Sequence, residues 1–222
     1  MERQIITKRI NAIMDDISRL SNALYAMDTT DIQKYPDNYE ILSTDAALRG
    51  EKIACQLRRL IYSSTNIPKQ KYLNSAGVIH GIKIKHENGI MEITLPCLLP
   101  KRKQQRNTEF ILDPLHYTLD GYVEKNPMPK FRHCVVCFSH IYNRELPTRR
   151  IRDYDNLELK RILDVVSTFI MVDDGGLLCD AYNTTELGDA DCTIISVMDK
   201  DKFPDWLAEH QNRMESIADF SE

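Results

Sequence analysis

The sequence predicts an α+β fold, a mixed sheet packed with helices and preceded by an N-terminal helical hairpin. Three observations lead there. Apolar residues in the first 26 positions recur at spacings of three and four, which is the period of a helix face. "VIHGIKIKHENGIMEITLP" alternates around Asn88-Gly89, a strong signal for a hairpin turn. Beyond it strands and helices alternate only loosely, which fits a mixed sheet better than a repeat or a sandwich.

The elements follow in order. Ile6, Ile10, Ile13, Ile17, Leu20 and Leu24 form the first helical stripe, over about residues 3–26. A polar stretch with Pro36 and Asn38 interrupts it, and Ser43-Thr44-Asp45 supplies cap chemistry for a second helix through "AALRGEKIACQLRRLIY". The two suit a helical hairpin. "TNIPKQKYLNSAG", residues 65–77, has loop composition and marks the boundary between a helical region, 1–76, and a main domain, 77–222. In the second part we expect the hairpin, a basic loop, a helix at 109–125, a strand at 132–142, and a helix from Asn156 to about Ile170. A short strand near 177–182, the strand "CTIISVM" (192–198) and a helical tail from Pro204 and Asp205 to Phe220 complete the chain.

Composition excludes some classes. Of 222 residues, 42% are hydrophobic and 28% charged, and no apolar run approaches the roughly 20 residues of a membrane helix. The charged, amphipathic N-terminus lacks the apolar core of a signal peptide, so the expected location is cytoplasmic, with no membrane partner. Six scattered cysteines fit a reducing compartment. Cys134 and Cys137 form a Cys-x-x-Cys, but they fall in an apolar strand, where residues three apart point to opposite faces. Two buried thiols are the better reading than half a zinc site. The net charge of −4 hides an asymmetry: from Asp173 onward thirteen acidic residues face three basic ones, while "KRKQQR" (101–106) and "RRIR" (149–152) are basic clusters. Indiscriminate coating of nucleic acid is thereby disfavoured, whereas a basic rim around a site is not.

Candidate chemistry sits in "RIRDYDNLELKRILD". Asp153 and Asp155 stand one residue apart at the mouth of a helix that carries Lys160 and Asp164 on its polar face, and Asp173 and Asp174 follow eighteen residues later in "MVDDGG". Carboxylates gathered at one place repel unless a cation lies between them, and Mg²⁺ or Mn²⁺ takes such oxygens while leaving room for water and substrate phosphate. The plainer reading is equally simple. Asp-x-Asp-Asn is ordinary helix-cap and loop chemistry, and Asp-Asp-Gly-Gly makes a good turn.

"RRIRDYDNLELKRILDVVSTFIMVDDGGLLCDAY" resembles the signature region of the RusA-like Holliday-junction resolvases, metal-dependent endonucleases of phages and bacteria. The flanking "MEITLPCLLPKRKQQR" and the final strand agree in order, so the likeness covers about residues 90–199. Lys160 falls one position later than the family pattern has it, and residues 1–76 have no counterpart. The resemblance implies a divalent-metal-dependent endonuclease that nicks branched DNA and works as a homodimer. It assigns Asp153, Asp155 and Asp174 to the metal, with Asp173 a further ligand candidate, and sets Lys160 beside the phosphate. Lys101, Arg102, Lys103, Arg106, Arg149, Arg150 and Arg152 would hold the DNA backbone. A non-catalytic DNA- or protein-binding module on the same fold is the main alternative. An aspartyl phosphatase would want a threonine where Leu157 stands, and a sugar-nucleotide transferase would need a larger nucleotide-binding domain.

Overall fold

A computed structural model describes residues 3–100, 102 and 109–218 of the chain. The fold is α+β, and its contacts divide it into two compact units, Met1–Tyr72 and Leu73–Glu222.

The first unit holds two long helices, α1 (Arg3–Asp28) and α2 (Pro36–Ser64), packed against each other. Ile13 and Ala23 of α1 and Ala46 and Ile53 of α2 are its buried apolar residues. Asp16 is buried with them, and its carboxylate accepts hydrogen bonds from Lys52 Nζ and Gln56 Nε2, both at 2.9 Å. The second helix begins earlier than the sequence suggests. The chain is interrupted over residues 29–35 as expected, and Pro36 occupies the first turn of the helix that follows, where the missing N–H costs nothing. Ser43, Thr44 and Asp45 are then helix interior, and Asp45 pairs with Arg49 one turn on.

Residues expected to be a loop form helix α3 (Lys69–His80). Tertiary packing overrides their composition. Leu73 is fully buried and Ala76 nearly so, and Gly77 lets α3 approach α4 (Glu109–Lys125) closely. A Cβ on Gly77 would lie 2.1 Å from Thr118 Oγ1, and one on Gly121 would touch the Asn74 side chain at 3.4 Å. Asn74 and Gly77 thus sit at a tight crossing, a pairing that resembles a loop when read in one dimension.

Five strands form one sheet in the order β1-β2-β5-β3-β4. β1 (Lys83–Glu87) and β2 (Ile90–Leu95) are the expected hairpin, with Asn88 at φ 54° and Gly89 at φ 73°, the two positive angles that a type I′ turn requires. β5 (Cys192–Asp199) lies antiparallel between β2 and β3 (Cys134–Asn143). Helix α5 (Leu159–Ile170) crosses over from β3 to a parallel β4 (Cys179–Gly188), which takes the far edge.

One face of the sheet carries the main core: Met91, Ile93, Leu95, Val136, Phe138, Ile195 and Val197 pack with Leu115 and Leu119 of α4 and Ile162, Val166 and Ile170 of α5. The other face holds a smaller cluster, in which Val135, Cys137 and Met198 meet Trp206 of helix α6 (Phe203–Ala218). Cys134 belongs to the first cluster and Cys137 to the second, so the Cys-x-x-Cys thiols do point to opposite faces. All six cysteines are free.

β4 is ten residues long where six were expected. Its second half, "NTTEL", lacks the apolar alternation of a strand because its partners are polar. Thr184 Oγ1 donates to Ser139 Oγ at 3.0 Å, Asn183 meets His140, and Glu186 meets His210 at 3.1 Å.

Candidate functional site

The chain leaves β3 at Asn143 and reaches α5 through two 3-10 turns, Thr148–Arg150 and Tyr154–Asn156. The acidic motif occupies the second. Helix α5 starts at Leu159, three residues later than expected from the sequence, and its cap is Glu158, whose side chain accepts from Arg161 N at 3.4 Å. Asp153 precedes the 3-10 turn without a side-chain cap bond, and Asp155 sits within it. Both carboxylates are exposed, and neither makes a side-chain hydrogen bond or ion pair among the described residues. Of the plainer reading of Asp-x-Asp-Asn the cap half does not hold, because Glu158 does that work, while the loop half does: the motif forms a turn in the connection.

Tyr154, between the aspartates, fixes the turn to the sheet. Its hydroxyl lies 3.0 Å from Thr185 Oγ1 on β4, and its ring sits over His140 on β3 with centroids 5.6 Å apart. His140 is 1% exposed, stacked on Phe138, with Nε2 3.4 Å from Asn183 Oδ1. Burial disfavours the imidazolium and lowers the His140 pKa, while the Asn183 contact pulls weakly the other way. Burial thus favours the neutral imidazole, which lies under the Tyr154 ring. Sequence reasoning missed this layer, and the one available signal was a polar His140 inside the apolar run of β3.

Lys160, second in α5, is exposed and reaches Asp164 one turn on, with Nζ 3.0 and 3.3 Å from the two carboxylate oxygens. That hydrogen bond raises the lysine pKa, with the Asp164 charge adding to it and Asp174 and Glu158 contributing less. The later position of Lys160 thus keeps it on the polar face beside Asp164. Asp173 and Asp174 lie in the connection after α5, and β4 begins only at Cys179, so the pair precedes the strand by several residues. Asp173 turns back on its own backbone, accepting from Gly175 N at 3.1 Å.

The two acidic pairs therefore flank opposite ends of a twelve-residue helix about 18 Å long. Asp174 nevertheless acts on the Lys160 ammonium. Among the described residues no three His, Cys, Asp or Glu side chains are grouped closely enough to hold a metal ion. By donor chemistry Asp153 and Asp155 still suit a hard cation: two exposed, unpaired carboxylates on one turn. Mg²⁺ is commonly held by one or two carboxylates together with substrate phosphate and water, without a full protein cage.

The arginines divide. Arg150 forms an ion pair with Asp191, whose other oxygen accepts from Asn143 N at 2.8 Å, so it ties the loop to the end of β3. Arg152 donates from Nη1 to the Leu99 carbonyl at 3.2 Å, and its backbone N–H donates to Tyr142 Oη. Arg149 is exposed and makes no side-chain contact among the described residues. Arg102 is exposed too, while Lys101, Lys103 and Arg106 lie outside the described residues. No described helix is long and apolar enough to cross a membrane.

No curated protein matches the sequence. A family model described only as a family of unknown function, DUF6100, matches residues 2–221, through both compact units, and the chain belongs to that family.

Proposed function

We propose that the Leu73–Glu222 unit is a divalent-metal-dependent endonuclease that nicks branched DNA, Holliday junctions among them, as the resemblance to RusA-like resolvases implies. One observation carries the reading most: Asp153 and Asp155 stand exposed, cap nothing and pair with nothing described, on a turn anchored through Tyr154. Two exposed carboxylates one residue apart, with no described protein partner, are free to take a cation.

On this reading Asp153 and Asp155 hold Mg²⁺ or Mn²⁺ together with water and substrate phosphate, while Asp174 and Asp173, which the resemblance also assigns to the metal, lie past the other end of α5 and are not grouped with them. The bound ion supplies Lewis acidity toward the phosphodiester and a more acidic water. Lys160 exchanges its contact with Asp164 for a phosphate oxygen, a modest change because the exposed pair contributes little to stability. Arg149, Arg102 and the basic loop hold backbone phosphates without reading sequence. Arg150 and Arg152 serve the site by fixing the loop, since both already have protein partners. A second copy of the chain is the expected partner, one nick falling to each subunit across a two-fold junction. The competing reading, a non-catalytic DNA- or protein-binding module, draws support from the lack of a ready-made three-carboxylate group among the described residues.

Labelled four-way junctions and matched linear duplexes, incubated with Mg²⁺, Mn²⁺ or EDTA, separate the two. Metal-dependent junction cleavage, lost in Asp155→Asn, is the expected result. Binding without cleavage under any metal would leave the binding module. Failure to bind either DNA would remove the nuclease reading and leave a binding module only for a protein partner.

A further inference from the structure

Helix α1 carries more apolar surface than α2 covers. Ile13, Asp16 and Ala23 are the α1 residues buried in the hairpin, while Ile10, Met14, Ile17 and Leu24 are 41%, 62%, 48% and 50% exposed. The exposed residues are ordered. Arg3, Ile10, Ile17 and Leu24 form one row seven residues apart, and Thr7, Met14, Ser21 and Asp28 form a second row four residues on. All eight are exposed. Two such rows make the seam of a helix pair, with each side chain packing among four of the facing helix.

Charge decides what can occupy it. The seam opens on Arg3 and closes on Asp28, at opposite ends of α1. A second α1 laid parallel would set Arg3 on Arg3 and Asp28 on Asp28. Laid antiparallel, the rows interleave as Arg3 with Asp28 of the second copy, Ile10 with Ser21, Ile17 with Met14, and Leu24 with Thr7. The three layers between the charged ends then join a large apolar residue to a smaller or more flexible one, and the ends close on opposite charges.

We propose that α1 is a self-association surface, and that two chains join through antiparallel α1 helices into a four-helix bundle. The buried apolar residues of the hairpin are few for two helices of 26 and 29 residues. Packing a second copy supplies the burial that long helices need for stability. The surface lies outside the stretch that resembles the resolvases, and the inference stands whether or not the nuclease reading does.

The test is the mass of the full-length protein by light scattering or sedimentation, at tens of micromolar and without DNA. The expected mass is twice the 25.8 kDa of the chain. Ile17→Glu with Leu24→Glu should give monomers of unchanged far-UV circular dichroism, since both side chains are exposed in the single chain. Arg3→Asp should weaken the dimer several-fold, and adding Asp28→Arg should restore it. A monomeric wild type, a dimer that survives the double glutamate variant, or a charge exchange that fails to rescue would each overturn the proposal. Because DNA is absent from every arm, a failure here leaves the cleavage experiment unaffected.

Discussion

At the scale of single residues, the candidate site separates side chains that stabilise the protein from side chains that do not. Asp153 and Asp155 are exposed and unpaired, so Asp153→Asn and Asp155→Asn should change stability by less than about 0.5 kcal/mol. Each should nevertheless lower junction cleavage roughly 10²–10³-fold, as loss of a charge-stabilising group does. Thermal melts beside cleavage rates check both halves. His140 behaves in the opposite sense. Its folded pKa lies below the ordinary imidazole value of about 6.5, so the unfolded chain binds more protons, and stability present above pH 6.5 is lost as pH falls below it. The melting temperature of the wild type should therefore drop on acidification from pH 7 to 5.5 more than that of His140→Gln, measured in matched buffers. The acidic motif was legible in the sequence because its residue types and spacing are unusual together. The supporting layer of Tyr154, His140, Asn183 and Thr185 was not, because its members come from three separate segments and meet only through the β3–β4 register.

At the scale of elements, the hairpin, α4, β3 and β5 could be read from local pattern, since period and turn chemistry agree there. Helix α3 could not. Its small residues serve the crossing with α4, and that demand is invisible without the partner. The crossing gives a sharp test: Gly77→Ala places a methyl 2.1 Å from Thr118 Oγ1 and should cost about 1–3 kcal/mol. Thr118→Ala removes the obstructing hydroxyl, along with its 2.7 Å bond to the Pro114 carbonyl. Denaturant melts of the two single variants and the double should show a less-than-additive loss if the clash is the cause. The polar half of β4 escaped notice for a related reason. An edge strand whose side chains bond to buried polar groups needs no hydrophobic alternation.

At the scale of the whole molecule, charge is segregated, and this shapes any encounter with a polyanion. With an acidic C-terminal segment, binding to DNA should depend on few cations and weaken with salt in proportion to their number. Arg149→Ala should reduce the slope of log affinity against log salt by about one unit, measured by fluorescence anisotropy on a labelled junction. Arg150→Ala should instead lower stability, because it leaves Asp191 with only the Asn143 N–H and without its ion-pair partner at the end of β3. The order of the sheet has a different kind of consequence, one of timing. β5 is the last strand to be synthesised, and it is also the middle one, with β1-β2 on one side and β3-β4 on the other. A nascent chain that has delivered β4 holds two separate half-sheets, each with an open edge facing the same gap. The gap closes only when residues 192–199 leave the ribosome, so a ribosome paused shortly before them would expose two strand edges open to other chains.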